Sequence, residues 1–240
     1  MKKSVKIAAL CTLFVFLASC VNNSNENIIN ISKNSETMGE IRYVAVGDSY
    51  TIGEGIGQEK AWPVILAKHL RENGISIRLV ANPSRTGWTA QDAIENEIPV
   101  FTKSGPDFAT LLIGVNDWVQ GVDKNTFRQR LDILIGQMQK NLKKPSSMII
   151  LTIPDFSAAP AGRFYGGGRN ISRGISEFNG IIKEVAAIRN IKVVDIYPAT
   201  QDMASNPELV AVDGLHPSPK EHEIWESMVY PIAYDILKES

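Results

Sequence analysis

The chain is short of several things. It has only two cysteines in 240 residues, Cys11 and Cys20. Cys11 lies in an N-terminal stretch that reads as a leader and Cys20 at its exit, where it is expected to be lipidated, so the folded domain has no thiol for a disulfide, a zinc site or a nucleophile. An excess of charge of one sign is lacking too. Lys and Arg number 25 against 26 Asp and Glu, a formal net charge of -1 with no basic stripe, which argues against nucleic acid as a partner. No apolar run approaches the roughly 20 residues a helix needs to cross a membrane. Signatures of other chemistries are missing as well. Ser49 is followed by Tyr50 and Thr51, so there is no Gly-x-Ser-x-Gly elbow. No His-Glu-x-x-His occurs, and Glu221-His222-Glu223 is expected as a solvated helix face, not as metal ligands. Gly53-Glu54-Gly55-Ile56-Gly57 lacks the lysine of a phosphate loop, and Gly166-Gly167-Gly168 reads as a mobile loop. No metal and no cofactor is implied. What remains, at 44% hydrophobic and 21% charged, is the composition of one globular domain.

Residues 1–20, MKKSVKIAALCTLFVFLASC, combine Lys2, Lys3 and Lys6 with an apolar run from Ile7 to Leu17 that closes on small residues. This is the layout of a signal peptide. Its exit, Leu17-Ala18-Ser19-Cys20, resembles the lipobox of bacterial lipoproteins, which implies cleavage before Cys20 and lipidation of that residue. Several acyl chains anchor a protein stably where one holds only marginally. The expected division is a leader over 1–19, a lipidated Cys20 with an Asn- and Ser-rich flexible tether over 20–39, and a folded domain over 40–240. Loss of three of the 25 basic residues leaves 22 against 26 acidic ones, a mature charge of -4. The expected address is the bacterial cell envelope, exported and membrane-anchored.

From Ile41 onward, short apolar runs alternate with stretches of helical period. Strands are expected at 41–46, 75–81, 108–113, 148–153 and 192–196. Helices are expected at 61–71, 89–101, 125–142, 175–189 and 219–237. Such alternation predicts an α/β domain, a parallel sheet covered on both faces with right-handed crossovers. These sheets bind ligands beyond the carboxyl ends of their strands, most often where the strand order reverses. The segments just past each strand are therefore the informative ones.

After the first strand comes Gly47-Asp48-Ser49-Tyr50, and after the second Asn82-Pro83-Ser84-Arg85-Thr86-Gly87-Trp88. The third leads into Gly114-Val115-Asn116-Asp117, and late in the chain stands Asp213-Gly214-Leu215-His216-Pro217. In this order, the four segments resemble the sequence blocks of the SGNH hydrolases, the GDSL-type esterases and lipases, over about residues 40–238. The resemblance implies a three-layer α/β/α sandwich, a flavodoxin-like five-stranded parallel sheet of order 2-1-3-4-5, and a serine esterase. Tyr50 departs from the common pattern, which has Leu there.

The residues also argue for themselves. An alcohol at its free pKa is a poor nucleophile and needs an adjacent base. Ser49 sits just past a buried strand in a turn opened by Gly47. His69 and His222 fall in expected helices, whereas His216 lies in a loop bounded by Gly and Pro that can reach across the sheet. Asp213 is placed to accept the other imidazole N–H, to form the turn before Gly214, or both. The resemblance assigns the oxyanion donors to the Ser49 amide, the Gly87 amide and the Asn116 side chain. A plain turn glycine and a helix cap are the alternatives for the last two. In the 2-1-3-4-5 order strands two and three flank strand one, which would bring Gly87 and Asn116 to Ser49. Asp48 and Asp117 are expected to support loop geometry. Tyr50, Trp88 and Trp118 are candidates for substrate contact, packing beneath the loops being the alternative for the tryptophans, Trp62 included. The connection 155–172 is the candidate mobile rim.

The expected function is hydrolysis of carboxylic esters through an acyl-enzyme on Ser49, with short acyl or acetyl groups first, glycan-borne ones among them. A lysophospholipase- or thioesterase-type acyl hydrolase is the alternative. Outside enzymes stands a non-catalytic glycan-binding lipoprotein, against which the intact set of Ser49, Gly87, Asn116, Asp213 and His216 weighs. The expected partners are a small ester substrate and, through the anchor, a membrane. Oligomeric state leaves no trace in the sequence.

Overall fold

The structure is a computed structural model in which residues 39–238 are described, so the expected leader, Cys20 and nearly all of the tether lie outside the described residues. Strand β1 (Ile41–Gly47) leads into a short helix α1 (Ser49–Ile52), then α2 (Trp62–Glu72) and β2 (Ile77–Ala81). Helix α3 (Ala90–Asp92), a π-helical turn (Ala93–Glu97) and α4 (Ile98–Ser104) precede β3 (Phe108–Leu112). Next come α5 (Val115–Val119), α6 (Lys124–Asn141), β4 (Met148–Leu151), α7 (Ile171–Ile188), β5 (Lys192–Val194), α8 (Tyr197–Thr200) and α9 (Pro219–Leu237).

The strands form one parallel sheet of order β2-β1-β3-β4-β5, as expected. Residues 43–47, 108–112 and 148–151 are buried throughout, because a sheet covered on both faces selects continuous Val, Ile and Leu runs over alternating ones. Helices α2 and α9 pack together on one side, while α4, α6 and α7 form the other layer. The strand order reverses at β1, flanked by β2 and β3, and this places the switch point at Gly47. Among the described residues no helix is long and apolar enough to cross a membrane.

Four expectations are corrected. The helix expected over 89–101 is interrupted by the π-turn, where the Ile98 N–H bonds to the Ala93 carbonyl. Pro99 has no N–H to donate and its ring would crowd the carbonyl four residues earlier, which a wider turn relieves. Helix α7 starts at Ile171, not 175, because the Asn170 side chain caps it by accepting the Arg173 N–H at 2.9 Å. The segments after β1 and β3 turn at once into α1 and α5 instead of remaining loops. Finally, 221–223 is not a solvated face: Glu221 and His222 are fully buried and only Glu223 is exposed. Glu221 accepts the Trp225 indole N–H at 2.7 Å, and His222 Nδ1 accepts the Trp62 backbone N–H at 3.2 Å.

Candidate active site

The carboxyl end of β1 is tightly confined. A Cβ on Gly47 would stand 2.2 Å from Thr51 Oγ1 and 2.4 Å from the Leu112 carbonyl oxygen, so only glycine fits. Asp48 then caps α1, accepting the Tyr50 N–H at 3.1 Å, and Ser49 becomes the first helical residue. Its backbone N–H is thereby one of the unpaired donors of a helix start. Burial above all, with the nearby Asp117 adding to it against the opposing Tyr50 N–H, pushes the Asp48 carboxyl up to about 8.

Side chains of α5 hold the segment after β2. Asn116 Nδ2 donates to the Trp88 carbonyl at 2.9 Å, Gln120 Nε2 to the Gly87 carbonyl at 3.3 Å, and Asp117 accepts the Ala90 N–H at 2.8 Å. Burial raises Asp117 to about 6, against the pull of the Ala90 N–H and of Arg130. Gly87 has φ +85°, the left-handed region, and a Cβ there would meet no protein atom within 4 Å. Its backbone conformation therefore requires glycine. A carboxamide carries two N–H donors, so Asn116, oriented by Trp88, keeps a second one for the cleft it lines.

His216 is presented by a hairpin-like loop, closed by the Val210–Pro217 bridge and by the Ala211 N–H bonding the His216 carbonyl at 2.8 Å. His216 Nδ1 stands 2.6 Å from Asp213 Oδ2, while Asp213 Oδ1 accepts the backbone N–H groups of Leu215 and His216 at 2.9 and 3.0 Å. Both sequence readings of Asp213, turn former and imidazole partner, thus hold at once. Burial opposes ionisation of Asp213, but these three hydrogen bonds and the imidazole beside it outweigh burial and hold its carboxyl below the usual range.

Ser49, Gly87, Asn116 and His216 line one cavity of about 190 Å³, walled further by Tyr50, Val115, Phe156 and Tyr165. A larger hollow of about 330 Å³ lies at the other end of the sheet, around Arg42, Asp107 and Lys143, far from any paired base and nucleophile. Of the expected substrate contacts only Tyr50 lines this cavity. Its ring meets those of His216 and Trp225 edge-on, at 5.7 and 5.9 Å, and its carbonyl accepts the Trp62 indole N–H at 3.2 Å. Trp88 contributes its carbonyl to Asn116 and does not line the cavity. Trp118 is buried under Phe156, with the Arg169 guanidinium 4.0 Å over its ring, so it supports the wall from behind. The connection 155–172 is folded into two short 3-10 turns, and Tyr165 within it joins the rim. Phe156 and Val115 carried no sequence signal, since nothing local distinguishes a cleft wall from core.

An α/β sandwich whose switch point brings a serine, a carboxylate-paired histidine and potential N–H donors to one cavity has the layout of a serine hydrolase, and the family it matches makes it a carboxylic ester hydrolase. Residues 45–224 match the model of the GDSL-like lipase/acylhydrolase family, and the chain belongs to that family. It is similar to an arylesterase from Vibrio mimicus, 22% identical over 179 residues that make up 75% of this chain and 81% of that protein. Among solved structures, the lipase/acylhydrolase from Enterococcus faecalis aligns with TM-score 0.66 at 22% identity, covering 82% of this chain and 97% of that one. An acetylxylan esterase from Geobacillus stearothermophilus aligns with TM-score 0.64 at 20% identity, covering 80% and 93%. These structural likenesses establish the fold.

Proposed function

We propose that the protein hydrolyses esters of small acyl groups through an acyl-enzyme on Ser49. The observation that carries this is the convergence of Ser49, the His216–Asp213 pair, Gly87 and Asn116 on one cavity. The Ser49 hydroxyl attacks the ester carbonyl as His216 Nε2 takes its proton, and Asp213 fixes the tautomer and stabilises the imidazolium. The Ser49 and Gly87 amides and the second Asn116 N–H meet the developing oxyanion. His216 returns the proton to the departing alcohol, and water, activated by the same base, releases the acid. A cavity of about 190 Å³ is below the 300–1,000 Å³ usual for drug-sized ligands, which favours acetyl and other short acyl groups. Aryl acetates and acetylated glycans, as the names of the relatives bring to mind, are the first substrates to try. The lipid acyl hydrolase reading draws on Phe164, 73% exposed beside Tyr165. We place the protein at a membrane through lipidated Cys20, which labelling with an alkynyl fatty acid and its loss in Cys20→Ala would test.

The test of the chemistry is a fluorophosphonate probe together with a p-nitrophenyl ester series from acetate to decanoate. Labelling and acetate turnover that vanish in Ser49→Ala are expected. Labelling unchanged by that substitution refutes the nucleophile, and a preference for long chains replaces the small-acyl reading with the lipid one.

A further inference from the structure

We propose that Glu97, which none of the four motif segments contains, is a positioning residue that grips the Gly47 amide and so fixes the turn presenting Ser49. The inference rests on Ser49 as the nucleophile. Glu97 is fully buried at the end of the π-turn, a rare device that often marks functional sites. Its Oε2 accepts the Gly47 N–H at 3.0 Å, two residues before Ser49, while Oε1 is buried without a hydrogen-bond partner. Gly47 is held on its other side by Thr51 and the Leu112 carbonyl, and Asp48 caps α1. The Glu97 contact completes the enclosure of the turn.

A fully buried carboxyl group is costly to desolvate, and an aliphatic side chain would fill the same space without that cost. The contact with Gly47 is the compensation the structure offers. Burial raises the Glu97 carboxyl well above the usual range, and Asp48 on the turn and Ser84 on the loop after β2 are the polar groups that face it. Accepting the Gly47 N–H needs an oxygen at this position, a role that a carboxamide of equal length can fill.

The test compares Glu97→Gln, Glu97→Asp and Glu97→Ala with the native full-length protein. Fluorophosphonate labelling rate, kcat and KM for p-nitrophenyl acetate are read at a temperature where circular dichroism shows each variant folded. Displacing a catalytic group by about an ångström costs about 100-fold. Glu97→Asp, too short to reach Gly47, and Glu97→Ala are therefore expected to lose about 10- to 100-fold in labelling rate and kcat with little change in KM. Glu97→Gln is expected to recover most of that loss. Should Glu97→Ala not fold, the order of Gln over Asp decides. Native labelling rates in Glu97→Asp or Glu97→Ala, whatever their Tm, overturn the proposal, as does Glu97→Gln performing no better than Asp. Ser49→Ala separates the two readings. If it stays active, the nucleophile assignment has failed; if it is dead while the Glu97 variants label normally, only the role of Glu97 has.

Discussion

Asn116→Ala is the sharpest test of the proposed oxyanion site, because the proposal adds a second, separable duty to the one the structure shows for this side chain. One N–H donates to the Trp88 carbonyl at 2.9 Å, which holds the loop carrying Gly87; the other is the proposed oxyanion donor in the cavity that Asn116 lines. The loop contact is partly buried, and losing one such hydrogen bond costs about 1 kcal/mol. In a domain of this size that lowers Tm by about 2–4 °C. Losing an oxyanion donor instead costs about 2.7–4 kcal/mol in the transition state, a fall of about 100- to 1,000-fold in kcat. The two effects thus differ several-fold in energy and appear in different measurements. Steady-state kinetics with p-nitrophenyl acetate should show the loss in kcat, with KM changed less than about threefold. Gln120→Ala, which removes only the neighbouring tie to the Gly87 carbonyl, should cost far less. A loss carried by KM, or a kcat fall no larger in Asn116→Ala than in Gln120→Ala, would refute the donor role and leave Asn116 as a loop clamp.

Tyr50→Leu should relax acyl selectivity, raising the hexanoate-to-acetate ratio of kcat/KM by about tenfold; an unchanged ratio would mean that the ring does not bound the acyl pocket. Gly174→Ala would place a Cβ 1.9 Å from Trp118 Nε1 and 2.4 Å from Cε2, an overpacking expected to cost about 1–3 kcal/mol. A Tm equal to native would contradict that packing. Two buried groups pull stability in opposite directions with pH. Burial, with His216 nearby, lowers His222 from 6.5 to about 3, so below pH 6.5 the unfolded chain takes up a proton that the folded one refuses, and stability drops as pH falls through that window. Asp48 has the opposite sign: raised from 3.8 to about 8, it keeps in the fold a proton that the unfolded chain releases, so its contribution is full below pH 3.8 and is lost progressively as pH rises from there through about 8, overlapping the His222 window. The urea midpoint of the native protein should therefore fall relative to that of His222→Phe as pH drops below 6.5; a difference between the two that does not change with pH removes His222 as a source of acid sensitivity.

Much of this was legible in the sequence because it is local. Period and run length marked β1, β3, β4 and α9, strand-end placement marked the segments that hold Ser49, Gly87 and Asn116, the resemblance gave Gly87 and Asn116 their roles, and His216 stood out as the loop histidine with Asp213 three residues before it. Asp213 and His216 are three residues apart, so their pairing needs only a turn. Ser49 and His216, 167 positions apart, share a cavity because the strand order reverses at β1 and the hairpin-like loop comes over that edge. The order itself was expected from resemblance, not from any residue.

Other features were settled by packing between distant segments. His222 looked like a solvated helix residue, yet helix α9 lies on α2 and turns it toward the Trp62 amide. Trp88 and Trp118 had the same standing as Tyr50 in the sequence, and only Tyr50 lines the cavity that holds Ser49. Glu97 read as one more polar position in a helix until the π-turn aimed it at Gly47. Sequence alone determined most of the elements and the chemistry-bearing segments, since each depends on neighbours along the chain, and the resemblance of those segments pointed to the class of reaction. Tertiary structure alone decided which aromatic walls the cleft and which acids and histidines are buried, since burial is a property of what other segments cover.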